Sequence, residues 1–142
     1  MFNFVYVKLI FYYSDMKREE LRVGNYVKMD GDLISVDLWL FKELCNNNSV
    51  TSTLLLSPIP LTEEILLKCG FKAESKYDDF KLNGINIQSC SLICKTLERR
   101  GFFLNLGEEN EKLNISIDHL HELQNLYYAL TKEELDVSKL LK

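Results

Sequence analysis

The stretch Asp118 to Leu130, DHLHELQNLYYAL, sets the terms on which this chain can fold. At ~100° per residue, Leu120, Leu123, Leu126, Tyr127 and Leu130 fall on one continuous side of a helix. That side needs a core to cover. His121, Gln124, Asn125 and Tyr128 form a second stripe able to hydrogen-bond. It is either a plain solvated face or one wall of a binding site. His119 falls beside the leucines and reads as a partly buried ring rather than a ligand. Asp118 is placed to cap the helix, and Thr131 with Glu134 offers a second capping box where it ends.

The segments before this helix alternate between strand and turn signals. Val23, Tyr26 and Val27, then Asp30-Gly31, then Leu33 to Val36 read as a hairpin, because Asp-Gly between β-prone runs favours a tight turn. Gly24-Asn25 before it can supply a bulge or a positive-φ position. Leu38 to Leu44 (LWLFKEL) suits a helix or a third strand, and Asn46 to Ser49 is a loop. Ser57-Pro58-Ile59-Pro60 is extended, since a residue preceding proline is pushed out of the α region. Thr62 then caps a short helix, Glu63 to Cys69, with two glutamates in its first turn, Lys68 in its last and Gly70 just beyond.

From Tyr77 to Ile117 short strands are expected. Asn83-Gly84 turns between Asp79–Leu82 and Ile85–Gln88; Ser91–Thr96 and Phe102–Leu106 are joined through Arg99-Arg100-Gly101. Gly107 to Glu111 is a polar turn, and Leu113 to Ile117 alternates with period two. The tail from Asp136 to Lys142 is expected to fray. The pattern is α+β: a small antiparallel sheet or SH3-like partial barrel, with a short central helix and a longer C-terminal amphipathic helix.

The first fifteen residues, MFNFVYVKLIFYYSD, stand apart. They are too short for a membrane-spanning helix, which needs ~20 apolar residues, and they lack the basic start and cleavage site of a signal peptide. They read as a strand buried on both faces or, preferably, as an upstream extension before a start at Met16. Residues 16–142 then make one α+β domain, a length that needs neither disulfides nor metal to fold.

Composition discounts several chemistries. A net charge of −4 counts against non-specific nucleic-acid binding, which relies on Lys and Arg neutralising phosphates. Cys45, Cys69, Cys90 and Cys94 include no CxxC pair, and with two histidines no tetrahedral zinc set at finger spacing can be written. The thiols read as reduced and mostly buried. No Gly-rich phosphate loop, HExxH or GxSxG motif is present, and no motif singles out a nucleophile. Neither catalytic residues, a cofactor nor a metal are therefore expected. The candidate ligand-binding groups are His121, Gln124, Asn125 and Tyr128 on the helix. Arg22, Asn25 and Tyr26 could present a guanidinium, an amide and a stacking ring, and Arg99 and Arg100 could hold a phosphate. Each set has a plain alternative: a turn-stabilising Asn, a surface Arg, a solvated loop pair or a wet helix face.

Three segments, LRVGNYV, PIPLTEEILLKCGF and HELQNLYYALTKEEL, together resemble a family of short uncharacterised proteins of Bacteroidales prophages and phages. Its members carry LRIGN(W/Y)V, PIPLTEEWLLKFGF and VHQLQNLYFALTGEEL in the same order. The likeness spans Met16 to Val137 and covers Arg22, Gly24, Asn25, Pro58, Pro60, Thr62, Gly70, Phe71, His121, Gln124, Asn125 and Tyr127. The chain departs from the pattern at Cys69, Tyr128 and Lys132. Lys132 replaces a glycine, so the last helix is expected to run on into TKEEL.

The resemblance implies a mobile element and a bacterial host cytoplasm, with no activity to carry over. The expected function is a non-enzymatic phage or prophage binding protein, in its sharpest form an anti-defence factor sequestering a nucleotide-derived immune signal. The alternative is a protein–protein adaptor or inhibitor of a host protein, which exposed aromatics around Trp39 and Tyr128 would favour. A nucleic-acid-binding accessory role ranks third. No membrane partner is expected, and oligomerisation is left open.

Overall fold

The computed structural model describes residues 16, 18–46, 56–74, 79–94, 97–106 and 113–142. Side chains are described for all of these except 18, 46, 89–101, 103, 105, 106, 113 and 114. The expectations for the first fifteen residues and for the turn at 107–111 therefore lie outside the described residues. The fold is α+β. The sequence suggests one domain over 16–142; by its contacts the chain divides into two compact units, Met1–Ile59 and Pro60–Lys142, each with its own antiparallel sheet.

In the first unit, β1 (Tyr26–Met29) lies between β2 (Asp32–Ser35) and β3 (Leu56–Ser57). Pairing of Met29 with Asp32 leaves Asp30 and Gly31 as a two-residue turn. Both have positive φ, 51° and 90°, the backbone of a type I′ hairpin turn and the reason Asp-Gly suits it. Leu38–Asn46 resolves as a helix, α1, whose N-cap is Asp37: its Oδ1 accepts the Leu40 N–H at 2.7 Å. Leu40 and Leu44, one turn apart, join Leu21, Val27 and Val36 in a buried cluster. Met16, Ile34, Phe41 and Leu56 pack against it.

In the second unit five strands run in sequence order: β4 (Lys72–Glu74), β5 (Asp79–Leu82), β6 (Ile85–Cys94), β7 (Leu97–Leu106) and β8 (Leu113–Ile117). Asn83 and Gly84 make a second type I′ turn, φ 47° and 81°. Alternation buries Phe80, Ile85, Ile87, Phe102, Leu104 and Ile117, and the Phe80 and Phe102 rings meet edge to face at 6.4 Å. The β4 edge is fully exposed, with Glu74 and Lys81 paired at 2.7 Å; charge on an edge strand discourages further pairing.

Arg99-Arg100-Gly101 is not a connection. These residues pair opposite Leu92, Ser91 and Cys90 inside the β6–β7 ladder. A polar triplet between apolar runs imitates a loop, but ladder hydrogen bonds come from the backbone and accept it.

The short central helix, α2 (Glu63–Lys68), forms as its end signals require. Thr62 Oγ1 accepts the Ile65 N–H at 3.2 Å, and Lys68 meets Glu64 at 2.8 Å. At its C-terminus the Phe71 N–H reaches the Leu66 carbonyl and the Gly70 N–H that of Leu67, both at 3.1 Å, which is a Schellman closure. Gly70 makes it possible with φ 95°. The last helix, α3, spans Leu120–Thr131. Lys132 adopts the left-handed conformation, φ 63°, and its N–H caps the Tyr128 carbonyl, so the helix stops where a glycine would stop it instead of running on. Thr131 starts no further α-helix; its hydroxyl bonds the Tyr127 carbonyl at 2.8 Å and accepts the Glu133 N–H. The tail from Asp136 is not frayed throughout: Val137 is buried, and the 3-10 turn Ser138–Leu140 lies against α2.

A Cβ at Gly70 would meet only Leu82 Cδ1 at 3.9 Å, so the cost of replacing this glycine is backbone strain alone. Gly70→Ala is expected to lower unfolding stability by about 1 kcal/mol, measured by urea titration with an unchanged m-value.

Candidate functional site

Among the described residues, the turn from β8 into α3 brings the most metal-ligating side chains together. Leu61 N–H bonds the Asp118 carbonyl at 2.9 Å, and Pro60 and His119 form an isolated antiparallel bridge, so the chain enters the helix from a fixed extended position. His119, φ −133° and ψ 156°, is the N-cap; Asp118 lies one residue too early for that role. The cap is completed from inside the helix. Glu122 Oε2 accepts the N–H groups of Asp118 at 2.7 Å and His119 at 3.0 Å, filling the reaching-back half of a capping box. Its other oxygen, Oε1, lies 3.6 Å from His119 Nδ1.

Residues two apart on a helix face different ways, yet the His119 and His121 rings stack, with centroids 5.5 Å apart and planes 10° from parallel. The extended backbone of His119 turns its ring back over the first helical turn. Partial burial on its own pushes the Glu122 carboxyl up. His119 beside it and the two backbone N–H donors more than offset this and hold it at about 2.

The helix presents a different face to the core from the one its leucines suggest. Leu120, Leu123 and Tyr127 are buried as expected, but so are His121 and Gln124, while Leu130 is 48% exposed. At 100° per residue the buried sector is rotated by about 70° from the leucine stripe toward His121 and Gln124. Both residues take part in interactions within the structure, while the two ring nitrogens of His121 lie buried without a hydrogen bond of their own among the described residues. Buried polar atoms are ordinarily hydrogen-bonded, so the His121 ring is the unusual member of this face. Asn125 is half-buried and Tyr128 is 41% exposed. The plain solvated face is thus confined to the far side of the stripe.

The other candidates separate as well. Asn25 is buried and acts on its own turn: Oδ1 accepts the Arg22 N–H at 2.8 Å, and its carbonyl takes the Val36 N–H at 2.8 Å. The neighbouring Gly24, φ 94°, returns its N–H to the Val36 carbonyl. Arg22 is half-buried with Nη1 3.3 Å from the Val23 carbonyl, and Tyr26 is half-buried in β1. These three belong to the first unit, whereas His121, Gln124, Asn125 and Tyr128 belong to the second. The Arg99 and Arg100 side chains lie outside the described residues.

Two features went unread in the sequence. Asn83 Nδ2 donates to the Tyr127 hydroxyl at 2.7 Å, tying the β5–β6 turn to α3, and nothing local signals a contact across that separation. His119, His121 and Glu122 form a set with one ligand atom each, all within 4.8 Å of one another. The H-x-H-E spacing was legible, but its convergence depends on the strand-to-helix turn.

The thiols offer little chemistry among the described residues. Cys45 is exposed and Cys69 buried, and burial, with Asp136 adding to it, pushes the Cys69 thiol up to about 12. No helix among the described residues is long and apolar enough to cross a membrane. Compared with protein-family models, curated proteins and solved structures, the chain matches none.

Because folding lowers the pKa of Glu122 from 4.5, its stabilising contribution is complete above about pH 4.5 and is lost as pH falls toward 2. Glu122→Ala is expected to cost about 1–2 kcal/mol at pH 7. The gap from the unsubstituted protein should narrow steadily below pH 4.5, as read by denaturant titrations in chelator-containing buffer. Iodoacetamide at pH 8 is expected to label Cys45 and spare Cys69 in the folded protein, with peptide mapping as the readout.

Proposed function

We propose that this chain is a non-enzymatic binding protein whose partner is another protein, with the first turn of α1 as its recognition surface. The observation that carries this reading is the exposure of Trp39, 65%, beside Leu38, 59%. Tryptophan is highly buried on average, and it is enriched among the residues that dominate binding energy at protein interfaces. Leu38, Trp39, Lys42 and Cys45 are exposed along α1, while Leu40 and Leu44 are buried. The helix is therefore amphipathic in the ordinary sense, with two large apolar groups on the side its own core does not cover.

The likeness of the three sequence segments to Bacteroidales phage and prophage proteins supports placing that partner in a bacterial host, as an adaptor or inhibitor acts on a host protein. Sequestration of a nucleotide-derived signal has less to rest on. It needs solvent-facing amides and rings, and Asn25, His121 and Gln124 are buried.

The test is capture from host lysate with the purified chain and a Leu38→Ser/Trp39→Ala variant. The unsubstituted protein is expected to retain one stoichiometric host protein, and the variant to lose at least about tenfold in affinity at unchanged thermal stability. Equal retention by both would remove α1 as the surface. Stabilisation by a cyclic nucleotide in a thermal-shift screen would favour the small-ligand reading instead.

A further inference from the structure

We propose that His119, His121 and Glu122 bind a divalent first-row transition metal, Zn2+ foremost, through two imidazole nitrogens and one carboxylate oxygen. A set of two histidines and a glutamate with a fourth position left to water is an established ligand class for zinc, and imidazole donors exclude Ca2+ and Mg2+ as the natural occupants. Three properties of this cluster support it, independent of the α1 surface.

The first is distance. The three ligand atoms lie within 4.8 Å of one another, and His119 Nδ1 already stands 3.6 Å from Glu122 Oε1. Ligands at ~2.0–2.1 Å from a tetrahedral ion are about 3.3 Å apart, so closure asks for movement on the order of 1 Å. His119, whose side chain is 15% exposed, supplies it by turning its ring out of the parallel stack with His121.

The second is orientation of the carboxylate. Glu122 Oε2 is fixed by the Asp118 and His119 N–H groups, and Oε1 is left 3.6 Å from His119 Nδ1. This is the support that metal-ligating carboxylates receive from hydrogen-bonding neighbours. The same carboxylate is ionised at neutral pH and offsets the positive end of the α3 dipole, which by itself disfavours a cation.

The third is rigidity and access. His121 is fully buried, and the backbone of His119 is tied to Pro60 through the bridge, so before any ion arrives one ligand is held and only the ring of the other is left to turn. Glu122, 34% exposed, leaves the cluster open to solvent on one side. The ion would join the exit of β8 to the first turn of α3, and bound metal should raise the thermal midpoint.

Titration with Co2+ reads the site directly. One equivalent is expected to bind with the intense visible bands of four-coordinate cobalt, displaced by Zn2+, and without the near-ultraviolet thiolate band that cysteine ligation would add. His119→Ala should weaken binding by more than about tenfold and Glu122→Gln, which keeps the capping acceptor, by about tenfold. A metal-free thermal melt checks that each variant folds. Should His119→Ala fail to fold, Glu122→Gln decides alone. The proposal is overturned by absence of saturable binding, by a thiolate band, or by undiminished affinity in the folded variants.

Discussion

The second unit depends on changing from strand to helix at one place, Asp118–His119. A strand ends with backbone donors aimed sideways, and a helix begins with N–H groups that have no partner inside it. Glu122 answers both needs with one oxygen, taking the Asp118 and His119 N–H groups together. The bonds from Leu61 to Asp118 and between Pro60 and His119 fix the direction of entry. That angle sets how α3 packs: the helix rolls so that His121 and Gln124 are buried, and Tyr127 meets Asn83 at the β5–β6 turn.

Where chemistry is local, the sequence was a sufficient guide. Asp30-Gly31 and Asn83-Gly84 demand positive φ at both positions, and both form the hairpin turns their residues specify. Thr62 and Gly70 bracket α2 because each satisfies an end group of that helix by itself. The roll of α3 was not legible, since a helical wheel ranks side chains by polarity and cannot see the angle at which the chain enters the helix. Leu130 is exposed and His121 buried for that reason. Lys132 takes a left-handed cap without being glycine, and Arg99-Arg100 lies within a strand despite its polarity. In both places backbone hydrogen bonds outweigh a residue preference worth about 1 kcal/mol or less.

Burial of the polar candidates also changes what the candidate site can be. An amide has a fixed number of donors and acceptors. Asn25 uses its side-chain oxygen on its own turn, and that use explains an asparagine between Gly24 and Tyr26 without any ligand. The same economy at the start of α3 has the opposite consequence. Glu122 needs only one oxygen for the cap, and the second is left facing the His119 imidazole. Structural use and chemical availability coexist in one carboxylate because the two oxygens point to different partners.

Recognition of a protein partner asks for apolar area that costs little to order. Trp39 meets that demand through its position as much as its size. Asp37 closes the first turn of α1 with a 2.7 Å bond to Leu40, and Leu40 and Leu44 anchor the helix in the buried cluster. The backbone under Trp39 is therefore fixed before any encounter, and only its two side-chain torsions remain to be restricted on binding. An indole carried on a loop would lose backbone freedom as well, at roughly 1–2 kcal/mol per ordered residue. Tyr128 and Leu130 also stand on a helix, α3, so what sets the proposed surface on α1 apart is its indole and its greater exposure, 59% and 65% against 41% and 48%.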